Sequence, residues 1–153
     1  MQLENKPGTL AKLCNALAGR KVNIVAFQAS TAERRSQVHL VVDNLAAAKT
    51  VLSAEGLIFT ETDVAQTTLP NRPGELARVA GRLGEANINI NYAYGGIEAG
   101  TNAPLLFFGV AEVGRAAQLL DQAASAAGRY GPTERRRKAP AIKHGDIRLI
   151  VIC

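Results

Sequence analysis

Asn5-Lys6-Pro7-Gly8-Thr9-Leu10-Ala11 returns as Asn71-Arg72-Pro73-Gly74-Glu75-Leu76-Ala77, and each copy runs through a helical stretch to a matching end, Val22-Asn23-Ile24 and Ile88-Asn89-Ile90. Asn5 and Asn71, Leu17 and Leu83, and Asn23 and Asn89 are each 66 positions apart, a constant register that marks a duplicated supersecondary unit. Duplication confines a chain of 153 residues to two small halves. A unit of roughly 60 residues buries only about 60% of its unfolded surface. Each half is therefore expected to need the other, or a second chain, for stability.

Local patterning gives each half the same plan. Asn5-Lys6-Pro7-Gly8 supplies turn residues that open a helix, in which Leu10, Leu13, Cys14 and Leu17 recur at helical spacing toward a core. Val22 to Ala29 has strand composition, Ser30 to Ser36 reads as a polar connection, and Gln37 to Val42 is a second strand that includes His39, expected at the surface. Asp43 and Asn44 precede an Ala-rich helix, Leu45 to Glu55, with Gly56 as its stop. Leu57 to Leu69 is too long for one ordinary strand and is read as the last strand of the first copy running into the first strand of the second, with the boundary near Thr62. The second copy repeats helix, strand, strand and helix, with Leu76, Val79, Ala80 and Leu83 inward and Gly95 to Asn102 as a glycine-rich loop.

Both copies thus read as β-α-β-β-α-β, the split βαβ arrangement of two helices on one face of a four-stranded antiparallel sheet, an α+β fold. The expected boundaries are residues 1–62, 63–133 and a basic tail over 134–153. Only four residues precede Asn5, so the first strand of the first copy is short and leaves a sheet edge exposed. Ile147 to Ile152 suits either a late strand of the second copy or a disordered end.

Charge does not alter this picture. The net charge of +5 comes from residues 135–153, which hold six of the 18 basic and one of the 13 acidic residues, leaving twelve of each in the duplicated body. No apolar run approaches the roughly 20 residues of a membrane span, the start has no signal-peptide pattern, and there are two cysteines, Cys14 and Cys153, so a soluble cytoplasmic protein without membrane association is expected.

The strand, the Asn-x-Pro-Gly-x-Leu-Ala turn, the Leu-bearing helix and the Val/Ile-Asn-Ile entry into the next strand resemble the ACT domain over about Leu3 to Ala127. The resemblance implies two ferredoxin-like βαββαβ modules in a stand-alone tandem ACT protein. It further implies a free amino acid or similar effector bound at the first β-to-α loop, at interfaces between modules, a homodimer, and a regulated enzyme as partner. Carried onto this chain, the ligand positions are Asn5, Gly8, Thr9, Leu10 and Asn23 in the first copy and Asn71, Gly74, Glu75, Leu76 and Asn89 in the second. Some ACT sites place a His two residues before the loop Asn; here those positions are Leu3 and Leu69, which leaves the effector unnamed.

The residues support a ligand reading on their own terms. Gly8 and Gly74 lack a Cβ and stand where a helix N-terminus presents unpaired N–H groups and partial positive charge to a carboxylate. Asn5 and Asn71 offer both a carbonyl acceptor and an NH₂ donor to an ammonium or carboxylate. Against this, Asn also braces turns and Pro-Gly is ordinary turn chemistry, and the spacing of Leu10, Leu17, Leu76 and Leu83 suits the core. Glu75, in place of Thr9, would repel a carboxylate unless a cation lies beside it, so a single working site is one outcome. No nucleophile elbow, phosphate-binding loop or metal-ligand spacing is present, so neither catalysis nor a cofactor is expected. Nucleic-acid binding is also not expected: Phe107 and Phe108 are adjacent and point to opposite faces, and Tyr92 and Tyr94 lack basic neighbours. The alternative to an effector-binding regulator is an interaction subunit with this fold and no small ligand.

Overall fold

The computed structural model describes residues 4–32, 35–97, 103–127 and 148–152. In chain order its elements are α1 (Thr9–Gly19), β1 (Ile24–Ala32), β2 (Arg35–Val42), α2 (Leu45–Ala54), β3 (Phe59–Asp63), β4 (Ala65–Thr68), α3 (Glu75–Glu85), β5 (Ile90–Ile97), β6 (Pro104–Val110), α4 (Val113–Ala127) and β7 (Arg148–Ile152). The fold is α+β, two antiparallel sheets and four helices in two ferredoxin-like βαββαβ units. One unit is Met1–Thr62 with Arg148–Cys153, the other Asp63–Ile147.

The repeated sequence folds into repeated geometry. Gly8 and Gly74, at φ 87° and 88°, precede α1 and α3, and Lys21 and Asn87, at φ 56° and 58°, follow them. Each helix closes with a bond from the third residue beyond its end: Val22 N donates to Leu17 O at 3.1 Å and Ile88 N to Leu83 O at 2.8 Å. This closure satisfies last-turn carbonyls and tucks an apolar residue against the helix; Val22 and Ile88 are both buried. Gly19, the expected stop, stays helical, and Lys21 takes the left-handed turn instead.

In the first unit the strand order is β1-β2-β7-β3. Val38, Leu40, Ile150 and Ile152 pack with Leu13 and Leu17 of α1 and Ala48, Val51 and Leu52 of α2. Burial of each large aliphatic side chain stabilises this layer by about 1.5–3 kcal/mol. The β1–β2 pairing runs out to Ala32↔Arg35, so the expected polar connection over 30–36 is mostly strand, because ladder hydrogen bonds form whatever the side chains. His39, expected at the surface, is buried, as are Val41 and Leu149 on the same sheet face. Alternation identifies the two faces of a strand but not whether the second one meets water. Cys14 is partly exposed, not sealed in the core.

In the second unit β4-β6-β5 form the sheet among the described residues. Ala65, Leu69, Val79, Leu83, Phe108, Leu120 and Ala123 make its core. Gly95 and Gly96, expected in a loop, continue β5 opposite Leu106 and Leu105, and only residues 98–102 of that stretch lie outside the described residues. On β6, Gly109 makes room for the Tyr92 ring, whose Cζ lies 2.1 Å from where a Cβ would sit. Tyr92 stacks on Tyr94 at 6.3 Å between centroids, and Tyr94 on Phe107 at 5.5 Å.

The long stretch Leu57 to Leu69 divides into β3 and β4, in different sheets, with Val64 between them. Of the expected basic tail, residues 134–147 and Cys153 lie outside the described residues. The remainder differs from both readings of it: Arg148–Ile152 is a strand, and it enters the first unit, paired with β2. Its uninterrupted Leu149-Ile150-Val151-Ile152 run is suited to a position buried on both faces.

Candidate functional site

The left-handed glycine turns the chain so that a helix begins directly behind it, with Lys12 N bonded to Gly8 O and Arg78 N to Gly74 O, both at 2.9 Å. Neither glycine provides a side-chain cap. The first N–H groups of a helix have no intrahelical acceptor, so both turns present donors at the positive end of a helix dipole. Asn5 and Asn71 are exposed on these loops.

Leu10 and Leu76, expected in the core, are 37% and 54% exposed. The inward stripe of α3 runs instead through Glu75, Val79 and Leu83, residues four apart on one helix face. Leu76 is one position off that stripe and stands beside the loop; Leu10 repeats this on α1. The two leucines thus add an apolar rim to the donor groups.

Where the copies differ, the chemistry differs. Glu75 is buried, and its carboxylate is held from two sides: Arg72 Nε donates to Oε1 at 2.6 Å, and Arg78 Nη2 and Nε donate to Oε2 at 2.6 and 3.0 Å. These bonds, Arg78 first and Arg72 second, hold the carboxyl below the usual range. Arg78 Nη1 also donates to Ala123 O at 3.2 Å, which ties α3 to α4. In the first unit the 66-residue register places Thr9, Lys6 and Lys12 in the stations of Glu75, Arg72 and Arg78. Lys12 reaches Glu55, just beyond the C-terminal end of α2, at 2.9 Å, and Lys6 pairs with Glu4 at 2.7 Å. The second helix start therefore carries a built-in carboxylate, clamped by two guanidinium groups, and the first carries a hydroxyl.

Asn23 and Asn89 precede β1 and β5. Asn23 N donates to Asp43 Oδ1 at 2.9 Å and Asp43 N to Asn23 O at 3.1 Å, leaving the exposed Asn23 side chain clear of this backbone pairing. Asn89 Nδ2 instead donates to Asn91 Oδ1 at 3.0 Å. No hydrogen bond among the described residues joins either Asn to its loop. Sequence reasoning passed over Arg78, although its position three residues after Glu75 on one helix was a legible ion-pair signal. It read Asp43 only as a helix-capping residue and missed its pairing with Asn23, which spans 20 residues.

Elsewhere on the first unit an open depression of about 730 Å³ lies between α2 and β3, lined by Leu45, Lys49, Ser53 and Phe59 and bridged by a Lys49–Glu61 ion pair. Among the described residues no three His, Cys, Asp or Glu side chains gather to hold a metal, and no helix is long and apolar enough to cross a membrane.

Residues 1–123 match the sequence profile of an ACT domain pair. A search of curated proteins returns no match. Among solved structures, protein BT0572 from Bacteroides thetaiotaomicron is 26% identical, with a TM-score of 0.69 over 78% of this chain and 82% of that one. A putative glycine cleavage system transcriptional repressor aligns over 80% of this chain and 86% of its own, at 7% identity and a TM-score of 0.34, too distant in shape to bear on function.

Proposed function

Because the chain belongs to the family of ACT domain pairs, we propose that it is a non-catalytic regulatory protein that binds a free amino acid or a close carboxylate-bearing analogue. The effector's carboxylate takes the N–H groups at the start of α1, its side chain meets Leu10, and Asn5 and Asn23 address its ammonium group, with Gly8 and Thr9 shaping the turn. One observation carries the choice of the first unit: the clamped Glu75 carboxylate at the start of α3, which Thr9 replaces at the start of α1. At the second loop, Asn71, Gly74, Glu75, Leu76 and Asn89 are then structural, with Glu75 in the role of a permanent internal anion. Ordering of the Asn5–Leu10 loop by ligand shifts the population that a partner protein reads, and the assembly is a homodimer.

Thermal unfolding against a panel of free amino acids tests this. A ligand at 100 times its Kd stabilises the native state by about 2.7 kcal/mol. The expected result is a shift confined to a few chemically related amino acids, abolished by Thr9→Glu, weakened by Asn23→Ala, and retained in Glu75→Gln. No shift with any amino acid, in folded protein, would favour an interaction subunit that binds no small molecule.

A further inference from the structure

We propose that the channel between β2 and β3 is a strand-acceptor site whose ligand is the chain's own C-terminal strand, so that the first unit is a circularly permuted form of the second. The register of the two sheets carries this. In the second unit β4 opens the module, leads into the Asn71 loop and pairs antiparallel with β6. The hairpin pairs Ile24↔Val42 and Ile90↔Val110 superpose β1–β2 on β5–β6, which sets Leu40 in the station of Phe108 and His39 in that of Phe107. Ile150 lies opposite Leu40 as Ala65 lies opposite Phe108. Val151 lies opposite His39 as Gln66 lies opposite Phe107, and Ile152 opposite Val38 as Thr67 opposite Leu106. β7 therefore occupies the station of β4, in the same direction and register. In the first unit the strand in that station arrives from the other end of the sequence.

The chemistry of the channel selects the ligand. β7 lies inside the sheet, flanked by β2 and β3, so both rows of its backbone groups face neighbouring strands. Ile150 and Ile152 enter the core beneath α1 and α2, while Leu149 and Val151 are buried on the opposite face. An acceptor of this kind takes an extended peptide of consecutive aliphatic residues. A charge at any of these four positions would be buried without compensation. β4, with the sequence Ala-Gln-Thr-Thr, keeps polar side chains in the same station, so the aliphatic demand belongs to the first unit.

Hydrogen exchange of the full-length protein, resolved by peptide, tests this. In Ile150→Asp the amides of β2 and β3 are expected to lose protection by on the order of a hundredfold or more, the scale of an uncompensated buried charge, while β4–β6 stay as in the parent. A second variant separates acceptor binding from general damage: residues 146–153 are joined ahead of Leu3, so that Ile152-Cys153-Leu3-Glu4-Asn5 mirrors Thr67-Thr68-Leu69-Pro70-Asn71, and the chain ends at Ala127. That permuted chain is expected to keep β2 protection within a few-fold of the parent. Unchanged β2 protection in Ile150→Asp, or a permuted chain whose β2 amides exchange as fast as in that variant, would overturn the proposal.

Discussion

Gly74→Ala and Gly81→Ala place the same methyl group on the same helix, and the geometry gives them opposite signs. At Gly74, φ 88° is a conformation that costs an alanine about 1–2 kcal/mol. Restriction of the unfolded chain by the new side chain returns about 0.4–1 kcal/mol. The added Cβ meets nothing within 4 Å, so no steric cost adds to this and the net is a destabilisation of about 1 kcal/mol. Gly81 lies inside α3 and is exposed, with nothing within 4 Å of its Cβ direction, so alanine there gains about 0.8–1 kcal/mol of helix propensity. In a unit of this size each kcal/mol moves the melting temperature by about 4–8 °C. Urea unfolding is the assay, read as a midpoint shift at constant m. Gly8→Ala, at φ 87°, is expected to match Gly74→Ala. If Gly74→Ala is as stable as the parent, or both variants move the same way, the left-handed turn in front of the helix is not the conformation populated in solution, and the donor geometry argued for both loops falls with it.

Three further outcomes follow from the packing. Glu75 titrates in the folded state below its ordinary value of 4.5, so its stabilisation is fully present above that value and is lost as pH falls through the depressed folded pKa; Glu75→Gln should flatten this acid limb, read as urea midpoints from about pH 5 downward. Burial lowers the pKa of His39 from 6.5, so the unfolded chain gains a proton before the folded one and stability declines as pH drops below about 6.5. His39→Leu should remove that decline, and a parent protein equally stable at pH 8 and pH 5.5 would contradict it. Gly109→Ala drives a methyl group into the Tyr92 ring and is expected to cost about 1–3 kcal/mol. A double-mutant cycle with Tyr92→Leu should recover much of that cost, whereas additive effects would show that the ring is not what the glycine accommodates.

Legibility in the sequence followed the range of the interactions. The two helix-opening turns, Leu13, Leu17, Val79 and Leu83 as core, and the strands around Val38 and Ile90 all follow from patterns spanning one element. Within the candidate site the turn itself was legible, but its surroundings were not. Periodicity assigned Leu10 and Leu76 inward because they are apolar, whereas the stripe that packs is set by Val79 and Leu83 and draws Glu75 in with them. Burial of that carboxylate depends on Arg72 and Arg78 and on the α4 carbonyl of Ala123, 45 residues beyond Arg78. Likewise the Asn23–Asp43 bond closes only once β1 and β2 have paired.

By itself the sequence determined that this chain is a duplicated βα unit with two glycine turns in front of two amphipathic helices, since backbone stereochemistry and helical period are local properties. Only the tertiary structure decided where Arg148–Ile152 goes. An aliphatic run declares that it must be buried on both faces, but backbone hydrogen bonds are the same for every sequence and do not name a partner strand. The vacancy beside β2, framed by the α1–α2 core, named it.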